Sequence, residues 1–349
     1  MSGRTARSFL ILLALLTGLA ACSARFAPPG PHAGREGPGP SLSAESFLTR
    51  DGLALPLRRW LPAEEPWAVI LALHGMNDYS TAFELPGVAL AEAGVATYAY
   101  DQRGFGEAPG RGLWPREGEA FRRDLRDALE LIGQRHPGAP LFLLGDSFGA
   151  AVVATTLAAQ WPPEVTGAIL NAPAVMDRQS LGPFASASLW LAYQFAPGWK
   201  PTGADLKIQA TDNIPLLRAF SNDPLVIKGT RIDAVYGLVN MMEAAQEAGP
   251  NLTGGPVLLL YGAKDEVIPP EALERFWAKL EQANPDARRL DFEEGWHWLL
   301  RDLERQQVYD ALLAWMKEES SLRAGASKSR DLPLSHPWPY SNVRLAARP

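Results

Sequence analysis

The chain predicts an α/β fold, a mostly parallel central sheet with helices on both faces and an inserted, mainly helical cap. Three observations carry this. Short apolar runs alternate with helical stretches between residues 67 and 317, and parallel strands need such crossovers. Runs such as Val257-Leu258-Leu259-Leu260 are apolar without alternation, as strands covered on both faces should be. A long segment, about 175–252, then interrupts the alternation.

The elements follow in order. Two extended stretches in 45–60 flank Arg50-Asp51-Gly52, a hairpin turn signal. The strand Trp67 to Leu73 runs into His74-Gly75, and a helix near 83–93 leads to a strand, Val95 to Tyr100, ending in Asp101-Gln102-Arg103-Gly104. Phe121, Leu125, Leu129 and Ile132 form one stripe of an amphipathic helix over about 117–135. The strand Pro140 to Leu144 enters Gly145-Asp146-Ser147-Phe148-Gly149, and an Ala-rich helix follows to about Gln160. After the strand Gly167 to Leu170 and the cap come the strand Pro256 to Tyr261, a helix over 270–283, the strand Arg289 to Phe292 and a closing helix over 302–317.

The 349 residues, 47% apolar, suffice for one sizeable core. The formal net charge is −6 with no basic stripe, which argues against a nucleic-acid partner, since phosphate binding needs concentrated positive charge. At the N-terminus Arg4 and Arg7 precede a short apolar run, Phe9 to Ala21, the layout of a secretory signal over 1–21. Its end, Leu19-Ala20-Ala21-Cys22, resembles a bacterial lipobox. That resemblance implies lipidation of Cys22 and a bacterial cell-envelope location, with Ser23 favouring the outer membrane. Cys22 is the only cysteine, so no internal disulfide can form. Residues 22–43, rich in Pro, Gly and Ala, read as a tether to a domain over 44–318, and 319–349 as a polar tail that drapes over the domain or floats free.

Gly145-x-Ser147-x-Gly149 sits at a strand-to-helix junction, the context that a nucleophile elbow requires. A serine hydroxyl needs a base to take its proton. Of the five histidines, His297 follows the last strand, where the base of a Ser…Asp…His order should fall. His32 lies in the tether, His136 in a turn before Pro137, His336 in the tail, and His74 belongs to another motif. Asp265, just past the strand that ends at Tyr261, is the candidate acid, with Asp233 and Asp291 in reserve. Backbone N–H groups of Phe148, after the nucleophile, and of Met76, in the loop after the first parallel strand, are the candidate oxyanion donors. His74 is expected to support that loop, and Asp101 and Arg103 to tie loops together.

Leu73-His74-Gly75, Asp101-Gln102-Arg103-Gly104-Phe105-Gly106, Gly145-Asp146-Ser147-Phe148-Gly149, Asn222-Asp223-Pro224-Leu225-Val226, Gly262-Ala263-Lys264-Asp265 and Gly295-Trp296-His297 occur in that order. Together they resemble the monoacylglycerol lipase and lysophospholipase branch of the α/β hydrolases (serine aminopeptidase S33-type) over most of residues 45–317. The resemblance implies Ser147, Asp265 and His297 as the triad and lipid-like esters as substrates. One departure stands out: Asp146 and Phe148 flank the serine where many members carry His or Glu, and Met.

The cap carries Leu189, Trp190, Leu191, Tyr193, Phe195 and Trp199, then Leu238, Met241 and Met242, which suits an acyl chain. No metal-ligand spacing or dinucleotide fingerprint occurs, and the chemistry expected needs no cofactor or metal. Two other readings stay open: an acyltransferase that uses the same triad, and a non-catalytic surface lipoprotein that only binds a ligand.

Overall fold

The computed structural model describes residues 26–34, 37–201, 208–326 and 343–345. The strands are β1 (Ser41–Leu42), β2 (Ser46–Leu48), β3 (Ala54–Trp60), β4 (Ala68–Leu73), β5 (Val95–Tyr100), β6 (Leu141–Asp146), β7 (Val165–Asn171), β8 (Val257–Gly262), β9 (Arg288–Phe292) and β10 (Val343–Leu345). They form one sheet in the order β1-β2-β3-β5-β4-β6-β7-β8-β9-β10. The pairings from β5 through β4, β6, β7 and β8 to β9 are parallel, and the flanking pairs are antiparallel. The helices are α1 (Glu84–Glu92), α2 (Glu119–Arg135), α3 (Phe148–Ala159), α4 (Arg178–Phe195), α5 (Ile214–Asn222), α6 (Ile232–Ala248), α7 (Pro270–Ala283) and α8 (Arg305–Ala326).

Side chains alternate along a strand, so β4 serves two cores. Val69, Leu71 and Leu73 face one cluster, with Leu125 and Leu129 of α2, Val152 of α3 and Phe276 of α7. Ala68, Ile70 and Ala72 face the other, with Leu90 of α1 and Leu312 and Trp315 of α8. All of β4, β5, β6, β7 and β8 is buried, which is why these strands are mostly apolar; Asp146 and Asn171, at the ends of β6 and β7, are buried polar exceptions.

The structure departs from expectation at both ends and in the cap. Residues 26–34, expected as part of the tether over 22–43, lie against the domain. Ala27 N–H donates to the Trp114 carbonyl at 2.8 Å and Gly30 N–H to Asp51 Oδ2 at 2.9 Å. A Cβ on Gly30 would come within 2.1 Å of the Asp51 carbonyl oxygen, so only glycine fits there. Backbone docking of this kind leaves no apolar periodicity to read. Signal residues 1–21 and Cys22 lie outside the described residues.

The cap is shorter than 175–252. Helix α6, with Met241 and Met242, packs into the main core beside α3, and Met241 Sδ lies 3.6 Å from Thr155 Oγ1. The insertion proper therefore carries α4 and α5. Helix α8 runs on to Ala326, and Val343–Leu345 of the tail pairs antiparallel with β9.

Candidate active site

Strand β6 passes directly into α3 through Ser147, whose backbone stands at φ 51°, ψ −111°. That conformation is costly for a residue with a side chain, and the surroundings hold it. Ser147 N–H donates to the Asn171 carbonyl at 2.9 Å, and the Ser147 carbonyl accepts from Ala150 and Ala174 N–H, each at 3.0 Å. A Cβ on Gly145 would lie 2.3 Å from Ala150 Cα, and one on Gly149 2.1 Å from the Leu73 carbonyl oxygen. Both glycines are thus required by the close approach of strand and helix. The non-glycine residues with positive φ among the described residues are Asn77, Ser147 and Ala172. Asn77 follows Met76 and Ala172 follows the Asn171 that braces Ser147, so backbone strain gathers around this one serine.

The turn after β9 brings His297 to Ser147 across a large sequence distance. His297 Nε2 lies 3.0 Å from Ser147 Oγ, and its Nδ1 lies 2.8 Å from Asp265 Oδ2. The carboxylate accepts the Nδ1 proton, which leaves Nε2 free to take the hydroxyl proton of Ser147. The other oxygen of Asp265 accepts from Val267 N–H at 2.7 Å and Ile268 N–H at 3.0 Å. The turns bearing Asp265 and His297 are also joined directly, by Ala263 N–H to the Phe292 carbonyl and Lys264 N–H to the Gly295 carbonyl, both at 2.9 Å. His297 and Asp265 are buried, and Ser147 is half-buried. The reserve acids sit elsewhere: Asp233 pairs with Arg231 on α6, and Asp291 with Arg289 on β9.

The loop after β4 lies against the elbow, where a Cβ on Gly75 would stand 3.4 Å from Ser147 Cβ. Phe148 is the first residue of α3, so its N–H has no partner within the helix. The N–H of Met76 makes no hydrogen bond to a described residue. His74 holds the loop in place. Its Nδ1 donates to the Gly75 carbonyl at 2.9 Å, and its Nε2 accepts from Gln102 N–H at 3.0 Å. Burial lowers its pKa, despite the Gly75 carbonyl and nearby acids, so a neutral ring suits both bonds. Asp101 accepts from Ser80 and Glu107 N–H, and Arg103 pairs with Asp51 and Asp124; both tie loops together. Beside Met76 lies a narrow cavity with Phe105, Leu113, Trp114, Ile227 and Ala234 among its lining residues.

A buried polar cluster beneath the elbow escaped sequence reasoning. Arg301, four residues past His297, donates to Asp78 Oδ2 at 2.8 Å. Its guanidinium stands 3.7 Å from Asp146 Oδ2 and 4.2 Å from the centre of the Trp298 ring. Asp146 accepts from Asn171 Nδ2 at 2.6 Å, and burial holds its carboxyl above the usual range against the pull of Arg301 and His297. No spacing rule exposes these pairs, because Arg301 and Asp78 are 223 residues apart. Among the described residues, no group of three or more His, Cys, Asp or Glu is placed to hold a metal ion. None of their helices is long and apolar enough to cross a membrane.

Residues 64–304 match the family model described as serine aminopeptidase, S33. The chain is 24% identical to the monoacylglycerol lipase of Mycolicibacterium smegmatis over 275 residues, 78% of this chain and 96% of that protein. It is 26% identical to human monoglyceride lipase over 286 residues, 80% and 92% of the two chains. Among solved structures, the Paleococcus ferrophilus monoacylglycerol lipase superposes with a TM-score of 0.63 at 23% identity, over 76% of this chain and 99% of that one. A soluble variant of Saccharomyces cerevisiae monoglyceride lipase superposes with a TM-score of 0.64 at 19% identity, over 81% and 97%.

Proposed function

The chain belongs to the serine aminopeptidase S33 family and is a serine hydrolase of the α/β-hydrolase fold, and from that premise we propose that it hydrolyses lipid-like carboxylic esters. Monoacylglycerols or lysophospholipids are the substrates we favour. The observation that carries the reaction is the unbroken line Asp265–His297–Ser147, with hydrogen-bond distances of 2.8 and 3.0 Å. The observations that favour a lipid are the relatives named as lipases and the exposed apolar side chains of the cap, Phe184, Trp190 and Phe195 among them.

In this reading His297 Nε2 takes the proton of Ser147 Oγ as the oxygen attacks the ester carbonyl carbon. The carbonyl oxygen gains negative charge, which the N–H groups of Met76 and Phe148 stabilise. Asp265 holds the imidazolium through Nδ1. Collapse of the tetrahedral intermediate breaks the acyl C–O bond, and His297 returns the proton to the departing alcohol. Water, with His297 as base, then attacks the acyl-enzyme and releases the acid.

Hydrolysis of p-nitrophenyl esters of increasing chain length, followed by monoacylglycerols and lysophospholipids, tests the proposal. A preference for medium or long chains is expected. Full activity of Ser147→Ala would overturn it.

We further propose that Cys22 is lipidated and that the enzyme works beside a bacterial membrane, the outer membrane favoured. Support comes from the charged and apolar layout of residues 1–21 before that cysteine. Incorporation of labelled palmitate, lost in Cys22→Ala, is the expected result.

A further inference from the structure

The segment of the cap that leads into α5, Ala210 to Asn213, lies along the turn that carries His297. Trp298 N–H donates to the Ala210 carbonyl at 2.8 Å. Leu303 N–H donates to Asp212 Oδ1 at 2.8 Å, and Asn213 Nδ2 donates to the Arg301 carbonyl at 2.9 Å. At the centre stands Asp302, 2% exposed. Its Oδ2 accepts the Trp296 N–H at 2.7 Å, the peptide next to the base. Its Oδ1 accepts the hydroxyl of Thr211 at 2.6 Å.

Thr211 is fully buried. Its Oγ1 accepts the Asn213 N–H at 3.0 Å and so spends its single proton on Asp302. Both oxygens of the carboxylate are therefore engaged, one by the cap and one by the turn of the base. Two donors converge on Asp302, so an acceptor is needed at each of its oxygens. An amide there would set its NH2 against one of the donors.

We propose that Thr211 and Asp302 are positioning residues for His297, through which the seating of the cap sets the alignment of the general base. The inference rests on the reading of His297 as that base. The Trp296 peptide orients the imidazole, whose Nε2 must stay within hydrogen-bond reach of Ser147 Oγ. Thr211 touches no reacting atom and acts only through Asp302 and this peptide. A cap lifted from its seat thereby loosens the base as well as uncovering the site.

The test uses the full chain and compares Thr211→Val, Thr211→Ser and Asp302→Asn with the unsubstituted enzyme on p-nitrophenyl butyrate. In Thr211→Val kcat is expected to fall about tenfold with KM changed by less than roughly twofold, because the lesion misplaces the base and leaves the pocket intact. The rate at which a fluorophosphonate labels Ser147 should fall in parallel. Thr211→Ser, which keeps the hydroxyl, should restore both, and Asp302→Asn should lose more than Thr211→Val. If Asp302→Asn fails to fold, the valine and serine pair carries the test. A Thr211→Val enzyme with unchanged kcat and labelling rate, even at a lowered Tm, would overturn the inference. So would a loss that serine does not restore. Retained activity in Ser147→Ala, by contrast, would overturn the underlying reaction.

Discussion

The elbow and the cap make opposite use of apolar side chains. From Leu141 to Leu157 every residue but Ser147 is buried, and the glycines leave no room for a methyl group. In the cap, no described side chain of α4 or α5 is buried. Phe184 is 85% exposed, Phe195 62% and Trp199 59%, and α4 is broken at Gly182 and Pro183. Polar bonds fasten the insertion to the main domain alongside ring contacts of Tyr193 on Tyr236 and Phe220 on Trp298. Thr211 bonds Asp302, Thr230 accepts from Asn77, and Asp223 accepts from Tyr79. Chemistry therefore sits where close packing enforces one geometry. The cap, seated by a few directional bonds and ring contacts, can change its exposed apolar side chains at little cost to the fold.

This contrast can be broken at several points. Replacing Ser147 with Ala should abolish ester hydrolysis, by at least about 10⁴-fold in kcat, since the acyl-enzyme cannot form. Steady-state assay on a short ester, with circular dichroism to show an intact fold, checks it. The change Asp265→Asn should lower kcat by about 10³- to 10⁴-fold, because an amide that donates to Nδ1 leaves His297 in the wrong tautomer. A pH-resolved kcat series on the same ester would reveal near-normal turnover if Asp265 were dispensable.

Packing comes next. A methyl on Gly149 would strike the Leu73 carbonyl, which belongs to β4 and cannot move alone, so Gly149→Ala should cost about 3 kcal/mol. Urea unfolding measures this, and a loss below about 0.5 kcal/mol would show the elbow to be more yielding than its geometry implies. The smallest effect on stability is expected in the cap. Truncating Phe184 to Ala should change stability by less than about 0.5 kcal/mol. If that face meets the acyl chain, kcat/KM on long-chain esters falls severalfold while the acetate ester is unaffected. Equal losses on both esters would erase the distinction between the two regions.

Much of the site was legible because its signals are local. Ser147 declared itself through two glycines at a strand-to-helix junction. His297 and Asp265 followed from their places after the last strands, and the structure brings both within hydrogen-bond reach. The boundary of the cap at α6 is not legible in the sequence, because a buried helix and a cap helix share an apolar composition. Met241 and Met242 look alike in either place, and only the packing of α6 beside α3 assigns them to the core. Residues 26–34 read as tether because they dock largely through backbone groups, which every sequence possesses.

The sequence by itself determined the alternation of strands and helices, the elbow and the order of Ser147, Asp265 and His297. The alternation and the elbow depend on neighbours a few residues away, where side-chain period and backbone sterics act directly, while the order of the three residues follows the Ser…Asp…His chain order that the family resemblance implies. Tertiary structure alone decided that Arg301 reaches Asp78 and Asp146, that Thr211 fastens Asp302, and that Val343–Leu345 extends the sheet beside β9. Those partners are far apart along the chain, and a buried charge or hydroxyl takes whichever partner the packed fold places within reach.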